Sequence, residues 1–122
     1  MLTSRKKFSI YYVSALSCMS LFPTVYAQES VDQLREQSIV AIRSGQIDAG
    51  FQQLESLLQQ YPQNQKLLAD YIVTAYSHNK IGLHQLPYLN AIQAAQFPEY
   101  GQLSAIKTLR DLKQYPAALA LV

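Results

Sequence analysis

Gly45-Gln-Ile47-Asp-Ala-Gly50-Phe51 is the first of three similar stretches that decide the fold. Asn79-Lys-Ile81-Gly-Leu-His84-Gln85 follows it, and Lys113-Gln-Tyr115-Pro-Ala-Ala118-Leu119 comes third. Aligned on Ile47, Ile81 and Tyr115, the stretches recur at one constant interval. A fixed period of about 34 residues predicts stacked helix–turn–helix units, each with a helix A, a turn and a helix B.

The first unit, residues 31–64, fits two amphipathic helices around Gly45. Helix A is predicted over residues 31–44 and helix B over residues 48–60, where Tyr61-Pro62 stops it. Gly45 follows helix A as the residue that can turn left-handed without steric cost. The stripes predicted to face the core are Leu34, Ser38, Ala41 and Ile42 on helix A, and Phe51, Leu54, Leu57 and Leu58 on helix B.

The second unit, residues 65–98, repeats this plan. Helix A carries Leu68, Ile72, Ala75 and Tyr76 on its apolar stripe. Helix B is predicted to begin near Pro87, because proline is tolerated only in the first turn, and to carry Tyr88, Ala91 and Ile92 before ending at Phe97-Pro98. In the register of the repeat, Gly50 and His84 occupy the slot where helices A and B cross.

The third unit, residues 99–122, is predicted to be truncated. Its helix A covers about residues 101–113, and helix B begins at Ala117 and reaches only Val122. A solenoid needs a terminal repeat with a polar outer face. We therefore expect about two and a half repeats, with the apolar stripe of Ala105, Ile106 and Leu109 left open.

Residues 1–27 have the layout of a secretory signal peptide. Arg5-Lys6-Lys7 precedes an uncharged apolar run over residues 8–22, and Val25-Tyr26-Ala27 supplies the small residues that precede a cleavage site. We expect cleavage between Ala27 and Gln28, which leaves residues 28–122 as the mature chain. An uncleaved anchor is the alternative, although the run is short for a membrane span.

Cys18, the single cysteine, lies inside the apolar run of this segment. Lipidation there would tether the product to a membrane. Leu16 stands two residues before the cysteine, whereas a bacterial lipobox has leucine three residues before it. Cys18 is therefore interpreted as an ordinary apolar residue of the signal peptide.

The residue pattern contains no constellation typical of catalysis or cofactor binding. Without Arg5, Lys6 and Lys7, the ten basic residues become seven against eight acidic ones, which argues against a nucleic-acid surface. His78 and His84 lack the spacing of a helical metal site. The carboxylates are scattered, and no glycine-rich phosphate loop occurs. We expect a protein that is not an enzyme and that holds neither metal nor cofactor.

Residues 31–122 resemble tetratricopeptide repeats through the Gly45 turn, Leu57-Leu58, the Tyr61-Pro62 ending, Ala75-Tyr76, and Tyr115 with Ala118. This resemblance implies an all-α solenoid whose A helices line a binding face. The residues predicted to contact a ligand or partner on that face are Arg35, Arg43, Tyr76, Lys107 and Arg110.

The stretch Ala105–Val122, downstream of a signal peptide, is also similar to a helix pair of the outer-membrane porins that export poly-β-1,6-N-acetylglucosamine. That resemblance implies a periplasmic scaffold that precedes a membrane barrel missing from this sequence, in a Gram-negative bacterium that secretes a biofilm matrix. Its partners would be a glucosamine-type polysaccharide, a periplasmic protein, or both. The alternative is an exported adaptor that binds a protein and has no glycan role; an enzyme domain beyond Val122 is a third hypothesis.

Overall fold

The computed structural model describes the backbone of residues 23–122 and the side chains of residues 30–122. The chain divides into two compact units, Met1–Gln33 and Leu34–Val122. Of the first unit only residues 23–33 are described, and they form the first half of one helix. The packing reported below lies within Leu34–Val122.

The described residues form six α-helices and one 3-10 turn. The helices are α1 (Pro23–Arg43), α2 (Ile47–Gln60), α3 (Gln65–Ser77), α4 (Leu86–Asn90), α5 (Glu99–Asp111) and α6 (Tyr115–Ala120); the 3-10 turn is Leu83–Gln85. No strand occurs between residues 23 and 122. The predicted all-α class is therefore confirmed for this part of the chain.

The turns that end α1, α3 and α5 share one backbone geometry. Gly45, Asn79 and Lys113, which begin the three similar sequence stretches, have φ of 98°, 54° and 62°. In each turn the amide of the next residue donates to a carbonyl five residues earlier. These bonds are Gln46 N to Ala41 O at 2.9 Å, Lys80 N to Ala75 O at 2.7 Å and Gln114 N to Leu109 O at 2.8 Å. This is the Schellman motif, in which a left-handed residue lets the chain satisfy the carbonyls at a helix end.

Close packing of α1 against α2 depends on Gly50. A Cβ atom on Gly50 would lie 2.6 Å from both the Ser38 carbonyl oxygen and the Ile42 Cγ1 atom. The next residue, Phe51, stacks on Tyr71 of α3 with ring centroids 4.7 Å apart. Together with the fully buried Leu54 and Leu58, these contacts make the core of the first helix pair and join it to α3.

The second helix pair departs from the predicted plan. Helix α4 has only five residues, with Pro87 in its first turn as predicted, and it ends before Ala91 and Ile92. His84 is exposed, so the expectation that it fills a helix crossing is wrong. Buried Gln85 explains the difference: its amide donates to Lys80 O at 2.9 Å and accepts from Gly82 N at 3.2 Å, which holds residues 80–85 in a path that is not α-helical.

The third helix pair is better packed than the sequence predicted. Ala105 and Leu109 are 0% and 2% exposed, and Ile106 is half-buried, so the expectation of an open stripe is wrong. Helix α5 packs against both α3 and α6. The contact with α3 is close because Gly101 has no side chain: a Cβ there would lie 2.8 Å from the Ala69 Cβ.

Candidate functional site

A buried carboxylate joins the three helices α1, α3 and α5. Arg35 Nη1 of α1 donates to Asp70 Oδ2 at 2.8 Å, and the Tyr100 hydroxyl of α5 donates to Asp70 Oδ1 at 2.8 Å. Both oxygens of Asp70 on α3 thus have a partner, as a buried carboxylate requires. Because the three residues come from three helices, this network fixes the relative positions of those helices.

Burial shields the ion pair of this network from solvent, whereas Tyr100 is 58% exposed. The side chains of Arg35 and Asp70 are only 15% and 10% exposed. Burial and the hydrogen bond to the Asp70 carboxylate raise the pKa of the Tyr100 hydroxyl well above its ordinary value of 10.0. Tyr100 therefore stays protonated, and its hydroxyl donates to Asp70 throughout the neutral pH range.

An open cleft of about 270 Å³ lies beside the network, between the same three helices. We call it the interhelix cleft. Its apolar lining comes from Ile39, Ile42 and Val73, and its polar lining from Arg43, Asp70, Thr74, Ser77, His78 and Tyr100. Arg43 and His78 are exposed, so the cleft has an apolar floor and basic side chains at its rim. Such a cleft suits an apolar group attached to a negatively charged one.

A second cluster lies between α3 and α5 and comprises Tyr76, Lys107 and Arg110. The Lys107 ammonium lies 5.8 Å from the centre of the Tyr76 ring, within the range of a cation–π contact. The pKa of Arg110 is raised above its ordinary value, chiefly by its hydrogen bond and ion pair with Asp111 and also by Tyr76. We call these three residues the Tyr76 cluster.

The structure places the five predicted site residues in three environments. Arg35 belongs to the buried network, Arg43 lies at the rim of the interhelix cleft, and Tyr76, Lys107 and Arg110 come together. Arg35 is therefore the ion-pair partner of Asp70, and its side chain is only slightly accessible to a binding partner.

Sequence reasoning missed the two other members of the network, Asp70 and Tyr100. In the sequence Asp70 is one of several scattered carboxylates, and Tyr100 resembles an ordinary packing aromatic. One signal was available: Asp70 is the only charged residue in the apolar stretch from Leu67 to Val73. A lone acid on the apolar side of a helix usually has a buried cationic or hydroxyl partner.

Residues 1–22 of the predicted signal peptide lie outside the described residues. The Ala27–Gln28 bond falls within the first turns of α1, whose side chains are described only from Ser30. Among the helices of residues 23–122, none is both long and apolar enough to cross a membrane. The described residues also contain no group of three potential metal ligands among His, Cys, Asp and Glu.

Comparison with known proteins adds no family, function or fold assignment. The chain matches no protein-family model, no curated protein and no solved structure.

Proposed function

We propose that residues 28–122 form a tetratricopeptide-like binding module with no catalytic role, and that the interhelix cleft and the Tyr76 cluster are its binding surface. The observation that carries this proposal is the recurrence of one turn geometry at Gly45, Asn79 and Lys113. The A helices α1, α3 and α5 also lie side by side, since all three line the interhelix cleft. Adjacent A helices provide a surface for an extended ligand, which binds through many moderate contacts.

The biological setting that we propose is the periplasm, as a scaffold in the export of poly-β-1,6-N-acetylglucosamine through an outer-membrane porin. The similarity of Ala105–Val122 to the porin family and the signal-like N-terminus support this setting. Tyr76 and Tyr100 provide aromatic and hydroxyl groups of the kind that contact sugar rings. In this function the module holds the polymer or an export partner near the outer membrane.

An exported adaptor for an acidic protein segment is the second candidate, and the charge of the surface favours it. Arg43 and Lys107 lie on or beside the proposed binding surface, whereas the charge of Arg110 is paired with Asp111 and that of Asp70 with Arg35. These cations attract a carboxylate-rich segment and repel a partly deacetylated glucosamine polymer, which is itself cationic.

Titration calorimetry distinguishes the two candidates. The purified chain is titrated with glucosamine oligomers of defined acetylation and, separately, with an acidic peptide that carries leucines. The double variant Tyr76→Ala/Arg110→Ala is expected to weaken binding of either ligand by at least about tenfold. Ser56→Ala, an exposed change on α2, is the matched control and should leave affinity unchanged. Binding that the double variant retains in full would refute the proposed surface.

Export is tested separately by sequencing the N-terminus of the protein recovered from the periplasm. We expect Gln28 as the first residue, with the remainder of α1 intact up to Arg43. An intact Met1 on soluble protein would refute cleavage, and a lipid on Cys18 would establish a lipoprotein in its place.

A further inference from the structure

The interhelix cleft has an aliphatic floor that the protein itself covers only in part. Ile39 and Ile42 of α1 and Val73 of α3 line it, and each of these side chains is half-buried. Aliphatic side chains offer no hydrogen bonds, so sugar hydroxyls laid on them would lose water without replacement. An aliphatic group gains free energy at the same place, because its contact removes apolar surface from water. The floor therefore favours an aliphatic group over a sugar ring.

The size of the cleft limits this group to about one large side chain. The cleft measures about 270 Å³ and is open to solvent. Pockets that surround drug-sized molecules usually measure about 300–1,000 Å³, whereas a closed cavity of roughly 150 Å³ holds a molecule as large as benzene. An open cleft of this volume thus takes one leucine-sized side chain together with part of the backbone that carries it.

Arg43 gives the rim of the cleft a positive charge. Within residues 30–122, whose side chains the structure describes, no ion pair includes Arg43. The one carboxylate that lines the cleft belongs to Asp70, which pairs with Arg35 at 2.8 Å and accepts from the Tyr100 hydroxyl. An acidic group next to the aliphatic one can therefore pair with Arg43 without opposition from an unpaired carboxylate.

A second cation lies farther along α5. Lys107 follows Tyr100, which lines the cleft, by seven residues, or about 10 Å at the rise of an α-helix. Its ammonium lies 5.8 Å from the centre of the Tyr76 ring and takes part in no ion pair of the described side chains. An extended chain covers about 10 Å in roughly three residues. A segment whose aliphatic residue fills the cleft can thus place an acid at Lys107.

We propose that the interhelix cleft binds a leucine-sized aliphatic side chain of an extended acidic protein segment. An acid next to this side chain pairs with Arg43, and a second acid about three residues away pairs with Lys107. The inference rests on the proposed binding surface and selects its occupant, a protein segment in preference to a glycan. Arg35 takes no part in this recognition, since Asp70 holds its charge.

A short peptide provides the test. Its sequence, Glu-Gly-Glu-Leu-Glu-Gly-Glu with blocked ends, reads the same in both directions, so either orientation brings acids to Arg43 and Lys107. The peptide is titrated into the purified, nitrogen-15-labelled chain, and NMR yields the Kd and the amides whose shifts change. We expect saturable binding with a Kd of about 0.1–1 mM, with large shift changes at Ile39, Ile42 and Val73.

Matched changes separate the contacts. Alanine in place of the peptide's leucine should weaken binding by at least about fivefold, because it removes the group that fills the cleft. Arg43→Gln in the protein should weaken binding by about three- to tenfold and reduce its dependence on salt. Lys66→Gln removes an equal charge from an exposed position on α3 outside the cleft, and it should leave the Kd nearly unchanged.

Three outcomes overturn the proposal, and they differ in what they mean for the proposed function. If binding tolerates both alanine in place of leucine and Arg43→Gln but is lost in Tyr76→Ala/Arg110→Ala, the binding surface stands and its assignment of the cleft fails. If the peptide causes no shift change up to about 10 mM and glucosamine oligomers change the shifts of the cleft, the occupant is a glycan. If neither ligand binds, this inference and the proposed function fail together.

Discussion

Replacing Gly50 with alanine tests the close crossing of α1 and α2. On an open helix surface this change would stabilise the protein by about 0.8–1.0 kcal/mol, because alanine is the better helix former. Here the new Cβ would lie 2.6 Å from the Ser38 carbonyl oxygen, whereas an ordinary contact is 3.4–4 Å. The Ile42 side chain can rotate away, but the Ser38 carbonyl belongs to the backbone of α1 and cannot.

Helix α2 must therefore move away from α1, which loosens the packing of Phe51 on Tyr71. Overpacking of this kind costs about 1–3 kcal/mol, and contact with rigid backbone places Gly50→Ala in the upper half of that range. After subtracting the helix-propensity gain, we expect a net loss of about 1–2 kcal/mol in the free energy of unfolding. For a domain of this size, the melting temperature should fall by roughly 5–10 °C.

The assay is thermal and urea unfolding followed by circular dichroism, with Gln52→Ala as the matched control. Gln52 is exposed on the same helix, so its replacement should change stability by less than about 0.5 kcal/mol. A Gly50→Ala variant that is more stable than the parent chain would refute the close crossing of α1 and α2.

Three further predictions follow from the turns and the titrating groups. Lys113→Gly should raise the free energy of unfolding by about 1 kcal/mol in urea titrations, because Lys113 adopts a left-handed φ of 62° that glycine adopts without steric cost; unchanged or lower stability would contradict this. Because the pKa of Tyr100 is raised in the folded protein, its contribution to stability is complete below pH 10.0 and is lost as pH rises through the folded pKa. Tyr100→Phe should therefore flatten the alkaline limb of a pH–stability curve, and an unchanged limb would count against the hydrogen bond to Asp70. The hydrogen bond and charge of Lys80 lower the pKa of Asp48 below 3.8, so the pair's small contribution to the free energy of unfolding is present above that pH and is lost as pH falls through the folded pKa. Asp48→Asn should therefore slightly reduce the slope of the pH–stability curve at acid pH, and a steeper slope would contradict the pairing.

The turns that end α1, α3 and α5 were predictable because they depend on local chemistry that recurs. Gly45 marks the end of α1, and successive shifts by one repeat lead to Asn79 and Lys113, where the same turn is found. The identity of Asn79 or Lys113 alone would not have predicted a turn there, since only glycine adopts a left-handed backbone conformation freely. The constant spacing of the three similar sequence stretches supplied the information that the individual residues lacked.

The second helix pair was not predictable in detail, because long-range side-chain bonds override its helical pattern. Gln65 donates to Ala91 O at 3.2 Å and accepts from Gln93 N at 2.9 Å, which holds the chain after α4 in a loop. Ala91 and Ile92 are apolar at helical spacing, and the pattern alone favoured a longer helix. Only the fold brings Gln65 to this loop.

The proposed binding surface was only partly predictable for the same reason. The positions of Tyr76, Lys107 and Arg110 follow from the repeat register, because residues on facing sides of adjacent A helices come together. The role of Arg35 does not follow from that register, since its partner Asp70 is itself bonded to a tyrosine on a third helix. A charged residue in a helical sequence is interpreted as exposed unless a buried partner of opposite charge can be identified.

Backbone NMR of the purified chain tests the repeat most directly. The regular recurrence of helix ends predicts left-handed carbon chemical shifts at Gly45, Asn79 and Lys113, flanked by helical shifts on both sides of the first and third turns. The amides of Gln46, Lys80 and Gln114 should exchange slowly with solvent because each is bonded to a carbonyl five residues earlier. Helical shifts that run without interruption through residues 45, 79 or 113, or rapid exchange at all three amides, would contradict the repeated helix–turn–helix architecture.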